Sequence, residues 1–109
     1  MRPSMLRLVR VRGSSMAPTL EDGDLLVVLT RGRPRPGDVV VARHRDLGLI
    51  VKRIIRIGAS GSLALAGDNL LSVDSAGIGR IRPDAVLGRA LFRLDRGGRP
   101  RLLPPRRSP

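Results

Sequence analysis

The chain has 109 residues, a net charge of +12, and no cysteine, tryptophan or tyrosine. This length allows one domain with a modest core, and the missing cysteines exclude thiol proteases, cysteine zinc sites and disulfide frameworks together. A single histidine, His44, argues against a histidine-based metal centre, and the longest apolar run, Leu25 to Leu29, falls far short of the roughly eighteen residues of a spanning helix.

Leu6 to Arg12 sets leucine and valine against arginine, which predicts a half-buried strand of period two. Pro18 and Asp22-Gly23 then break the chain around a short helical turn. The apolar run "DLLVVL" predicts a buried strand, and "TRGRPRPGD" a loop. Val39 to Arg43 is a further strand, and Gly48 to Ile57 a long one with Lys52 in its middle. Gly58 to Gly61 is a turn, "SLALAG" a short strand, and "GDNLLSVDSAGIGRI" a polar loop punctuated by glycine. "PDAVLGRALFRL" begins as a helical turn and ends as a closing strand. Residues 97–109 have the composition of a disordered basic, Pro-rich tail behind a single domain over 1–96. Short strands with tight turns and no long helix predict an all-β fold, a small folded sheet or barrel-like core with short helical turns. With one aromatic residue, Phe92, that core must be aliphatic.

The positive charge suggests nucleic acid or an anionic membrane as partner. The arginines, however, are scattered, and no aromatics alternate with them to stack on bases, so no nucleic-acid partner is expected. Peripheral contact with anionic lipid stays open. The N-terminus lacks the apolar core of a secretory signal, so the chain reads as soluble and cytoplasmic.

Of the 21 basic residues, Lys52 is the one lysine. Arginine cannot give up its proton in a protein, whereas a desolvated lysine can, and burial lowers a lysine pKa toward neutrality. Lys52 sits in an apolar strand and is a candidate general base; the plain alternative is a surface lysine of no special role. A serine nucleophile needs such a base, and Ser15 in "VRGSSMAPTL" is the candidate, with helix capping by Ser14 and Ser15 as its alternative. A Ser-Lys pair is a known variant of triad logic.

The segments "GSSMAPTLEDGD", "PGDVVVAR", "IVKRI" and "GDNLLSVDS", in this order, resemble the conserved boxes of the signal peptidase I family of serine endopeptidases. The resemblance runs from about Val11 to Gly88. It implies a peptidase with Ser15 as nucleophile and Lys52 as base, and no cofactor or metal. Gly13, Met16 and Pro18 would shape the oxyanion site and the turn, with Gly13 standing where some members place a serine. Ser72 would orient the lysine amine and Asp74 brace its loop, although the spacer before Ser72 is shorter than in many members and Ala76 replaces a frequent arginine. Gly67, Asp68 and Asn69 would form the turn beneath the site. The substrate, a precursor protein or leader peptide cut after small residues, would lie extended between Leu8 to Arg12 and Gly48 to Val51, with Val11, Ile50 and Val51 in the cleft.

Only 14 residues precede Ser15 and 14 separate Lys52 from Gly67, so neither an N-terminal anchor nor an inserted second domain is expected. Such compact relatives resemble proteases that mature nickel-containing superoxide dismutase, which makes that precursor a candidate partner, with the nickel belonging to the substrate. Two alternatives remain on the same β core: a LexA-like self-cleaving module and a non-catalytic basic binding module.

Overall fold

The structure, a computed structural model, describes residues 5–71 and 78–104. Its strands are β1 (Leu6–Arg10), β2 (Leu25–Leu29), β3 (Val39–His44), β4 (Gly48–Ile57), β5 (Leu63–Ala66), β6 (Val86–Leu94) and β7 (Pro100–Leu102), with one 3-10 turn at Pro83–Ala85. All seven belong to a single antiparallel sheet in the order β1-β2-β6-β3-β4-β5, with β7 added beside β6. The protein is thus all-β, and no helix among the described residues is long and apolar enough to cross a membrane.

Unbroken apolar runs form strands here because the sheet is covered on both faces. In β3, Val39 and Val41 enter one core with Met16, Leu20, Leu26 and Val28. Their neighbours Val40 and Ala42 enter a second core with Ile50, Ile54, Leu63, Leu65 and Ile81. Strand alternation thus sends successive residues to opposite cores, each buried Val, Leu or Ile stabilising by about 1.5–3 kcal/mol.

β6 is the hinge of this arrangement, with β2 along one edge and β3 followed by β7 along the other. Bulges at Val27/Val28 and Val41/Ala42 add local twist where these strands meet. Gly88 is required at this crossing, because a Cβ there would stand 2.5 Å from the Leu29 carbonyl oxygen and 2.6 Å from a Val28 methyl.

Two expectations from the sequence change. β1 ends at Arg10, and its alternation places Val9 toward the first core while Leu6 and Leu8 stay exposed at 51% and 65%. The adjacent apolar pair Leu8-Val9 shifts the phase, so arginine and leucine share the outer face. Composition also marks residues from 97 onward as a disordered tail, yet Pro100 to Leu102 pair with Phe92 to Leu94 and Leu103 packs on the first core. Leu103 supplies the apolar anchor that a count of Pro, Gly and Arg hides, while the backbone of Pro100 to Leu102 supplies the pairing.

Candidate active site

The loop that carries Ser15 is built from its ends inward. Beyond β1 the ladder continues for one step, with the Val11 amide donating to the Asp24 carbonyl and the Gly23 amide to the Val11 carbonyl. Gly13 then turns the chain at φ +82°, in the left-handed region that favours glycine, and its amide donates to Asp22 Oδ1 at 2.8 Å. Ala17 N donates to the Ser14 carbonyl and Leu20 N to the Met16 carbonyl, closing two successive turns. Met16 and Leu20 drive these turns into the first core, so the loop between them is clamped by burial. Pro18 is exposed and follows a cis peptide bond.

The bend at Gly67 to Asn69 grips this loop. Asn69 donates from its backbone amide to the Ser15 carbonyl at 2.9 Å and from Nδ2 to the Ser14 carbonyl at 2.8 Å. Asp68 accepts from Thr19 Oγ1 at 2.6 Å and takes a two-pronged contact from Arg53, Nε to Oδ1 at 2.9 Å and Nη2 to Oδ2 at 2.7 Å. A planar guanidinium fits a carboxylate in this way, and the pair is among the stronger charge-assisted contacts. Arg53 also donates to the carbonyls of Gly37 at 2.7 Å and Pro104 at 3.2 Å. Asp68 therefore ties the serine loop, through Thr19, to β4, through the residue next to Lys52.

Lys52 lies on β4 directly opposite Val40, only 7% exposed among the aliphatic residues of the second core. Burial disfavours the charged amine and holds its pKa below the ordinary 10.5. Ser15 and Lys52 line one cleft of about 240 Å³, whose walls are Val9 to Arg12 on one side and Leu47 with Leu49 to Lys52 on the other. Val11, Met16, Ile50 and Val51 lie along it as well.

The cleft runs between two strand edges. Among the described residues β1 pairs only with β2, and Gly48 to Lys52 pair only with β3, since β5 begins its pairing at Arg53. Such unpaired edges offer backbone donors and acceptors to an added strand.

The cleft thus gathers Val11, Ser15, Met16, Ile50, Val51 and Lys52, while Gly13 and Pro18 lie exposed on the serine loop outside its lining and Asp68 and Asn69 bond to that loop. Ser72 and Asp74 lie outside the described residues. His44 ends β3, with Nε2 2.9 Å from the Ile78 carbonyl and Nδ1 accepting from the amides of Asp46 and Leu47 at 3.1 Å. Those contacts put the proton on Nε2 and shape the turn that presents Leu47 to the cleft. Sequence reasoning misses Arg53. Its signal is an arginine inside an apolar strand, which needs a buried carboxylate, and Asp68 of "GDN" is that partner.

An all-β protein with a serine and a buried lysine in a cleft between open strand edges has the parts of a serine peptidase. The chain matches the Peptidase S24-like family over residues 1–74, more than half its length, and belongs to that family. No curated protein matches it.

Proposed function

We propose that the protein is a serine endopeptidase in which Ser15 is the nucleophile and Lys52 its general base. The supporting observation is the shared cleft, in which a buried lysine with a lowered pKa lies along the same groove as Ser15. In this reading the neutral Lys52 amine takes the Ser15 Oγ proton as Oγ bonds to the scissile carbonyl carbon. The Ser15 backbone N–H donates to the oxygen that gains negative charge, and Gly13 leaves room beside it. When the tetrahedral adduct collapses, the C–N bond breaks and the Lys52 ammonium returns its proton to the departing amine. Water, giving a proton to Lys52, then attacks the acyl group, and Ser15 regains its proton as the ester breaks.

The substrate is an extended precursor or leader peptide with small residues before the cut, as the likeness to signal peptidase I implies, and the nickel superoxide dismutase precursor is the particular candidate. Action in the cytoplasm belongs to the same proposal. The test is mass spectrometry of products from peptides with Ala-x-Ala sites and from that precursor's leader, using wild type, Ser15→Ala and Lys52→Arg. Cuts by wild type that both variants lose support the pair; cuts that survive in the variants defeat it.

The family match favours one second reading, in which the same pair cuts its own chain. Intact mass followed over time separates the two: self-cleavage proceeds at a rate independent of protein concentration and disappears in Ser15→Ala.

A further inference from the structure

The two walls of the cleft differ by face. In β1 and its extension, Val9 and Val11 turn toward the first core, whereas Arg10 lies on the opposite, exposed face and Arg12 is exposed one residue past Val11. On the facing strand, Val51 packs against the same first core, and Ile50 belongs to the second. A peptide added as a strand between them has its side chains alternating in the same way. Every second residue meets aliphatic groups, where small apolar side chains fit. The residues between them lie beside Arg10 and Arg12.

That second face is cationic and uncompensated by the rest of the cleft: among the described residues no Asp or Glu lines it. Arg10 is also held in place, its Nη1 donating to the Gly23 carbonyl at 2.9 Å. A fixed positive charge beside an open strand edge selects its partner by charge as well as by shape.

We propose that the cleft selects acidic extended peptides, in which small apolar residues alternate with Asp or Glu, the acidic side chains lying beside Arg10 and Arg12. This inference rests on the peptidase reading for what becomes of the peptide, and on the cleft alone for its binding.

The experiment measures binding of fluorescein-labelled peptides containing Ala-Glu-Ala, Ala-Gln-Ala or Ala-Lys-Ala to the Ser15→Ala protein by anisotropy. The expected order is Glu over Gln over Lys, with steps of about twofold to fivefold, the range of an exposed charge pair, shrinking as salt is added. Arg12→Glu, and Arg10→Glu with Arg12→Glu, should invert the order. Arg33→Glu is the control for bulk charge, because it is exposed in the loop after β2, whose end at Leu29 pairs with Leu6, the far end of β1 from Arg10; it should leave the order unchanged. Equal binding of the three peptides, binding of none, or a shift from Arg33→Glu as large as that from Arg12→Glu overturns the inference. Wild type is then given the same peptides. A charge-ranked affinity without cleavage overturns the peptidase reading and leaves the inference standing, while cleavage blind to charge does the reverse.

Discussion

In β4 the residues on either side of the Lys52–Arg53 bond meet different surroundings, although both side chains are buried. Among the described residues, Gly48 to Lys52 before the bond leave one strand edge open to the cleft; after it, Arg53 to Ile57 are closed by β5. Lys52 is held by aliphatic packing and loses part of its basicity to burial. Arg53, on the other face, is fixed by Asp68 and two carbonyls. Two successive cations thus serve opposite ends. One is deprived of water, which weakens its hold on its proton, and the other is given so many acceptors that it serves as a rigid post.

Exchanging the chemistry of these neighbours should break the comparison most sharply. Lys52→Arg keeps the charge but removes the removable proton, and peptide cleavage should fall by roughly a thousandfold or more in kcat. Arg53→Lys should leave a measurable cleavage rate, because it touches the site only through Asp68. Its effect belongs to stability: removing half of a buried fork costs up to about 3–5 kcal/mol, read as a lower denaturation midpoint. A double-mutant cycle with Asp68→Asn should show strong coupling between the two positions.

The pH dependence separates the two cations further. Because burial holds the folded-state pKa of Lys52 below the 10.5 of an exposed lysine, the unfolded chain binds more protons between those two values. Stability should therefore rise with pH across that window and level off above 10.5, and the rate kcat/KM should rise as the amine loses its proton. Lys52→Met should flatten the stability profile, whereas Arg53→Lys should not.

Smaller effects test the scaffold around the strand. Gly88→Ala forces a methyl against the Leu29 backbone, and overpacking of this kind costs about 1–3 kcal/mol; an unchanged melting temperature would contradict the close crossing of β6. Leu8→Ser should change stability by no more than about 0.5 kcal/mol, since Leu8 faces outward. A large loss there would put Leu8 in the core after all.

Most of the strands could be read from residue pattern alone, because runs such as Val39 to Ala42 and Gly48 to Ile57 are long and bounded by turns. The outward face of β1 could not, since one phase shift at Leu8-Val9 redirects every later side chain. β7 escaped because its own side chains are all exposed and a single apolar anchor, Leu103, follows it among charged and turn-forming residues. Within the site, the types of Ser15 and Lys52 are visible from chemistry, the lysine by its rarity and the serine by its company. Their shared cleft is expected only through the resemblance to signal peptidase I and not from residue chemistry, because it depends on how β6 brings β2 and β3 together. An arginine inside an apolar strand signals that Arg53 needs a carboxylate, but its partner Asp68 lies fifteen residues and a strand reversal away, so no local pattern names it.

The place of β6 in the sheet also bears on when the cleft can exist. One wall is joined to the rest through β1 and β2, the other through β4 and β3, and the strand between β2 and β3 is made only after both. A growing chain that has reached Ile81 already carries Ser15, Lys52 and the bend at Gly67 to Asn69, yet lacks the piece that sets the two walls face to face. Non-local pairing of this kind forms late and slowly. Until β6, Val86 to Leu94, has been added, the two walls have no common strand to hold them opposite each other.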